Sequence, residues 1–392
     1  MNKDHADSSN PQAFSRRSVI KAMGISAAAA LTPLALSRSQ PAQSQVNSNL
    51  GSQNSGSQNS GSQNQTSDII TKAIPSTNEK VPAIGMGTFL TFDVLREQPR
   101  DHLQQVMQRF RDGGGRMIDV SPLYGMSEAN VGEFAAALGM TDELFITNKI
   151  WATGEYLGDD SQALRQLEQS MKRLSRDRID AMQVHSLVNV EMIVPILREW
   201  QQEGRIRYVG VTHHDLPLYA APIESWIGKG NLDFVQIRYS IFERGAEERI
   251  LPAAADQGTA VLVNMPFEKA RLFEVVQGQP LPDFASEIGC ENWAQFFLKY
   301  VISHPAVTCA IPATTNPAHV TENLGALRGS LPDNEMRTRM VRHMESLPSF
   351  SKLAQMPWYP GKQFNGLVRL PGLAATRNAG NRSTGNRSTE NS

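Results

Sequence analysis

The chain has 392 residues, with 38 lysines and arginines against 39 aspartates and glutamates and a formal charge of −1. With no basic run beyond its amino-terminal segment, it lacks the electrostatic footprint of a nucleic-acid binder. Apolar residues make up 40% and only two cysteines occur, without CxxC spacing, so a disulfide scaffold and a cysteine-ligated metal are excluded while one large core is affordable.

The first element in chain order is SRRSVIK at Ser15 to Lys21, followed by the alanine-rich apolar stretch Ala22 to Leu36, too short for a membrane span. It resembles a twin-arginine export signal, with Val19 and Ile20 where Phe and Leu are usual. Residues 37–44 include Ala42 but no clean small-x-small cleavage site. Residues 1–44 are therefore read as a signal segment. The expected location is periplasmic, released or membrane-tethered and facing the periplasm, with the twin-arginine machinery as a partner. In residues 45–68 the motif GSQNS recurs, a composition that cannot bury enough apolar area to fold and is read as a disordered linker.

From residue 69 to 350 short apolar segments recur as GMGTF, RMIDV, LFITNKI, IDAMQVH, RYVGVTH, DFVQIRY, AVLVNMP and VTCAIPA. Helical periodicity separates most of them, at Asp101 to Arg111, Ser161 to Leu174, Met192 to Gln202 and Trp293 to Ser303. Strands alternating with helices, eight times over, predict an α/β fold that closes into a (β/α)8 TIM barrel, with a disordered amino-terminal linker and carboxyl-terminal tail. Cys290 and Cys309 are expected to be free core thiols. Residues 351–374 form an extension whose aromatic stretch WYPGKQFNGLVRLPGL folds back over the barrel mouth or its side, and residues 375–392 are read as disordered. The expected assembly is a monomer.

Four polar residues close predicted strands or the loops after them: Asp119 and Tyr124 in IDVSPLYG, Lys149 in FITNKI and His185 in MQVHS. Each alone has a plain reading, as a cap, a half-buried tyrosine, a solvated lysine or a core histidine. Together, at the strand ends where barrel active sites are built, they make a proton-donating set for carbonyl reduction. A nearby ammonium is expected to lower the phenol pKa, with Asp119 partnering Lys149 and His185 bonding a substrate oxygen.

These residues resemble the tetrad of the aldo/keto reductases, a family built on the (β/α)8 barrel, and the resemblance runs from roughly Val81 to Leu347. It includes GMGTF, MIDVSPLYGMSEANVGE, LSRDRIDAMQVH, VGVTHHD, VQIRYS and IPATTNPAHVTENL, in family order. It implies a nicotinamide cofactor across the barrel mouth, since no GxGxxG follows a strand. By the same resemblance Thr212, His213 and Gln236 hold its carboxamide, and Thr88 lies nearby. The seventh strand departs from the family, reading Asn264-Met265-Pro266 where many members have a stacking tyrosine, so Met265 or Phe267 takes that place. In the phosphate region the family's lysine and arginine fall at Ala313 and His319, while Thr314, Thr315, Glu322 and Asn323 agree with the pattern. NADP(H) is favoured over NAD(H).

By position Phe89, Leu123, Trp151 and Ser186 line the substrate pocket. The long segment Phe267 to Gly289 is expected to be a lid or cofactor clasp, or a solvated charged face. A metal at His213-His214 lacks a carboxylate or cysteine partner at ligand spacing. A glycoside hydrolase would need paired carboxylates at strand ends, and QVHS, IRYS and NMP offer none. A barrel without any cofactor would leave the four aligned polar residues unexplained. The function expected is an NAD(P)H-dependent oxidoreductase reducing an aldehyde or ketone to an alcohol, with Tyr124 as general acid assisted by Lys149, Asp119 and His185. The alternative is an exported nicotinamide-binding regulatory or redox-sensing module with little turnover.

Overall fold

A computed structural model describes residues 69–153 and 159–369. The signal segment, the linker and the tail expected at 1–44, 45–68 and 375–392 lie outside the described residues.

Eight parallel strands form the centre: β3 (Met86–Gly87), β4 (Met117–Asp119), β5 (Phe145–Ile150), β6 (Ile179–His185), β7 (Ile206–His213), β8 (Phe234–Arg238), β9 (Ala260–Asn264) and β10 (Val307–Ala310). Each pairs with the next in sequence order, and parallel bridges from Ile84 to Ala310 and from Gly87 to Ala313 bring the last strand back to the first. The fold is thus a (β/α)8 barrel, as the alternation of segments predicted. An antiparallel hairpin of β1 (Thr71–Ala73) and β2 (Lys80–Pro82) precedes it.

The helices between strands are α1 (Asp101–Asp112), α2 (Ser127–Ala137), α3 (Ser161–Leu174), α4 (Val190–Gln202), α5 (Leu216–Gly228), α6 (Ile250–Asp256), α7 (Arg271–Val275), α8 (Trp293–Ile302) and α9 (Pro317–Gly325), with α10 (Asn334–Ser346) following. In α1 the buried Leu103, Val106, Met107 and Phe110 make one apolar stripe at helical spacing, which docks the helix against the strands. In α8 nearly every residue from Ala294 to Ile302 is buried, so its mean apolarity, rather than its periodicity, marks it as a core helix.

Inside the barrel, side chains alternate in layers. The lower layer holds Phe145, Tyr208 and Phe234, their ring centroids 5.4 to 6.0 Å apart, and the hairpin residues Ile74 and Val81 cap it from below. The hairpin is locked there by the Tyr208 hydroxyl, which donates to Glu79 at 2.7 Å. The upper layer is polar and carries Asp119, Lys149, His185, Thr212, Gln236 and Asn264, and all the chemistry gathers at that end. Both cysteines are buried free thiols, and burial pushes Cys290 up to about 11. No described helix is long and apolar enough to cross a membrane.

Candidate active site

Asp119 closes β4, and Lys149 stands one residue before the end of β5, so neighbouring parallel strands aim both side chains into the barrel. Lys149 Nζ donates to Asp119 Oδ1 and Oδ2 at 2.8 and 2.7 Å and to the Val120 carbonyl at 2.9 Å. An ammonium has three protons, and these three bonds take all of them. Asp119 Oδ1 also accepts from Thr147 Oγ1 and from Gln236 Nε2, both at 2.7 Å. The pair is almost wholly buried, at 1% exposure for Lys149 and 3% for Asp119, and such a pair persists only where its remaining bonds are satisfied, as here.

Tyr124 lies on the turn between β4 and α2, above this pair. Lys149 Nζ meets it through the ring face, 4.7 Å from the centroid, and not through the hydroxyl. Phe89 packs on one side of the ring with centroids 4.9 Å apart, and His185 stands edge-on at 5.9 Å. Here the structure departs from the expectation that the lysine lowers the phenol. Burial first, then the Asp119 charge and Tyr359, hold the Tyr124 hydroxyl well above the ordinary tyrosine value, because the ammonium is already neutralised by its carboxylate. Burial, then Lys149, His214 and His213, push His185 down to about 3, so its ring is neutral at physiological pH. Ser121 Oγ lies 3.2 Å from His185 Nδ1.

A cavity of about 1020 Å³ opens over Asp119, Tyr124 and His185. Thr88, Thr212, His213, Gln236, Met265 and Phe267 border it near the barrel axis, and Thr314, Thr315, His319, Glu322 and Asn323 border it beside α9. Phe89, Leu123 and Ser186 line it too. Trp151 does not; its backbone is held by the Gln166 amide at 2.9 and 2.7 Å, outside the cavity lining. Thr88 donates to the Asp119 carbonyl at 2.7 Å and accepts from Ser127 at 2.6 Å, so it braces the β4 end.

Side chains to which the sequence reading gave no site role of their own also border the cavity: Asn264, Lys269, Trp358, Tyr359 and Lys362. Asn264 ends β9 as Gln236 nears the end of β8, and its strand-end position was the signal for it. Among the charged residues of the long segment, Glu268 and Arg271 form no solvated face: they are 0% and 4% exposed. Glu268 accepts from Arg238 Nε at 2.9 Å, Arg271 Nη2 at 2.8 Å and Ser240 at 2.9 Å. No described group of three or more His, Cys, Asp or Glu residues is arranged to hold a metal ion; His213 and His214 stack on each other with centroids 5.4 Å apart.

A family model described as the aldo/keto reductase family matches residues 83–340. The chain belongs to the aldo/keto reductase family. Among curated aldo/keto reductases it is 27% identical over 202 residues to aldo-keto reductase YhdN of Bacillus subtilis, covering 49% of this chain and 60% of that protein. It is 26% identical over 267 residues to an NADH-specific methylglyoxal reductase of Escherichia coli, covering 56% and 81%. It is 32% identical over 167 residues to methylglyoxal reductase DkgB of Salmonella typhimurium, covering 41% and 58%. Against the first and third of these the chain spans less than two thirds of the relative. An aldo-keto reductase from Klebsiella pneumoniae in complex with NADPH superposes with a TM-score of 0.57 at 23% identity, over 77% of this chain and all of that one. The holo form of one from Bacillus halodurans gives 0.57 at 20%, over 71% and 96%. At these identities the likeness speaks for the barrel fold alone.

The residues present fit a nicotinamide carboxamide. His213 Nδ1 accepts the Asp215 amide at 3.0 Å, which leaves the ring proton on Nε2 as a donor. Asn264 Oδ1 is buried without a partner at the same cavity, an acceptor that a bound amide would satisfy. Gln236 is less free than expected, since its amide already serves Asp119 and accepts from Thr212 at 3.0 Å.

Proposed function

We propose that the protein reduces an aldehyde or ketone to an alcohol with NADPH or NADH, with Tyr124 as general acid. The observation that carries this reading is the Lys149–Asp119 ion pair, buried beneath the face of the Tyr124 ring at a cavity that His185 borders. A bound nicotinamide supplies the hydride, with His213 and Asn264 holding its carboxamide. As negative charge grows on the substrate oxygen, the Tyr124 hydroxyl passes its proton there. The phenolate left behind lies over the Lys149–Asp119 pair, whose carboxylate offsets the ammonium, so the phenol is a strong proton holder that is readily reprotonated after each turnover. With its ring neutral and Nδ1 3.2 Å from Ser121 Oγ, His185 in the Nε2–H tautomer presents that proton to the same oxygen and orients it. Phe89 and Leu123 wall the reacting centre from water on the substrate side.

Replacing Tyr124 by Phe removes the proton donor and is expected to lower turnover by about a hundredfold or more while nucleotide binding remains. The check is oxidation of NADPH and NADH against a panel of aldehydes and ketones. Turnover unchanged by Tyr124→Phe would sink this assignment.

NADP(H) is favoured over NAD(H). Thr314 and Thr315 stand at the amino end of α9, where hydroxyls and helix amides suit a phosphate. A second reading, a nicotinamide-binding redox or regulatory module with little turnover, draws support from one observation: none of the three Lys149 protons is directed at the phenol. A nucleotide that binds without any carbonyl being reduced would select it.

For residues 1–44 the proposal is export by the twin-arginine route to the periplasm, supported by the paired Arg16 and Arg17 ahead of an apolar stretch. Cell fractionation of the double variant Arg16→Lys and Arg17→Lys tests it; export that persists would count against it.

A further inference from the structure

The carboxyl-terminal segment beyond α10 crosses the barrel mouth as a strap, and its two attachments are specific. At one end the Tyr359 amide donates to the Lys269 carbonyl at 2.9 Å, and the Lys269 ammonium lies over the Trp358 ring, 3.1 Å from its centroid. At the other, the Val368 amide donates to Asp93 Oδ2 at 2.7 Å, while Asp93 Oδ1 accepts the Met126 amide at 2.9 Å. Gly366 lies so close to Asp93 that an added Cβ would meet the Asp93 carbonyl oxygen at 2.1 Å.

Topology says what lies beneath. Lys269 belongs to the loop after β9, and Asp93 to the loop after β3. In the closed barrel β10 stands between those two strands. A strap tied at Lys269 and Asp93 therefore spans the end of β10 and the loop 312–316 that leads into α9. Trp358, Tyr359, Lys362 and Phe364 border the same cavity as Thr314 and Thr315. Of the described residues that line it, Lys269 and Lys362 are the only lysines or arginines, and both belong to the strap or its anchor.

Resting on the reading that this cavity binds a nicotinamide nucleotide, we propose that residues 357–369 are a cofactor roof: the strap closes over the bound nucleotide, places Lys269 and Lys362 against its phosphates, and slows its release. Lys362 supplies positive charge that Ala313 and His319 do not, and Lys269, which burial and the Arg238 and Arg271 charges lower to about 7, gains its proton fully only against a phosphate. Retention of this kind suits a protein that would leave the compartment where the nucleotide is made.

The test is the dissociation rate of NADPH and NADH from the full-length protein, followed by nucleotide fluorescence. Gly366→Ala pushes the strap off Asp93, and Val368→Pro deletes the amide that Asp93 accepts. Each is expected to speed release by about tenfold. Lys362→Met is expected to raise Kd and to flatten its dependence on ionic strength. Thermal unfolding of each variant verifies that the barrel is intact. Release within twofold of the parent in both folded strap variants would overturn the proposal, as would a change confined to the KM for the carbonyl substrate. A parent protein that binds neither nucleotide would overturn it too. Slow, strap-dependent release without any carbonyl turnover would uphold the roof and sink the reductase reading instead.

Discussion

Lys149 meets Tyr124 through the face of its ring, 4.7 Å from the centroid, while its own protons go to Asp119 and the Val120 carbonyl. The lysine therefore meets the tyrosine by its place beneath the ring and not by a direct hydrogen bond. Replacing Lys149 by Met leaves Asp119 buried and unpaired, which is expected to cost about 3–5 kcal/mol. Adding Asp119→Asn to Lys149→Met removes the stranded charge and should restore much of that stability without restoring turnover. Urea unfolding of the two variants decides it; a single variant as stable as the double would contradict the ion pair's role.

The neutral His185 ring sets the pH behaviour. Its folded pKa of about 3 lies below the ordinary 6.5, so between those values the unfolded chain binds more protons than the folded one. The stability contributed is complete above pH 6.5 and is lost progressively as pH falls toward 3. The parent is expected to lose more of its thermal midpoint between pH 7 and pH 5 than His185→Gln does. Kcat/KM should show no limb near 6.5. Parallel melting curves for the two proteins would refute the assignment.

On the proposed reading, nucleotide choice rests on charge beside α9. His319 sits against Thr314 and Asn316, at 3.4 and 3.3 Å. Combining Ala313→Lys with His319→Arg places two cations there and is expected to improve NADPH binding relative to NADH by about tenfold. Fluorescence titration gives the ratio, and a ratio that does not move would place the discriminating phosphate elsewhere.

Glu268 holds the loop after β9 by accepting from Arg238, Arg271 and Ser240 while fully buried. Glu268→Ala leaves two guanidinium groups facing each other and should cost about 3–5 kcal/mol, measured by denaturant unfolding. Loss of less than about 1 kcal/mol would mean that water or a shifted Glu243 replaces it.

The barrel was legible because buried parallel strands read as short apolar runs, and helices such as α1 and α3 keep an amphipathic period. The four polar residues were legible for the same reason, as each interrupts an apolar run or follows one. Three things were not. The direction in which the Tyr124 phenol shifts depends on whether the lysine charge is already cancelled, a matter of ångströms that spacing does not hold. That Trp151 stays out of the cavity lining, its backbone bonded to the Gln166 side chain, has no mark in the spacing of the sequence. That the Trp358–Tyr359 stretch folds back over the mouth or its side was legible, but its anchors, the Lys269 carbonyl and the Asp93 carboxylate, were not. Short irregular segments whose partners lie far away in the chain carry no periodicity to read.

The bond from Asp93 to Val368 joins residues 275 apart in sequence, which fixes an order of events during synthesis. The barrel strands and Tyr124 leave the ribosome well before Val368 does, so the growing chain can form its basin first and acquire the strap afterwards. For that interval, on the proposed reading, the mouth stands open, and residues 357–369 close over it only once they have followed.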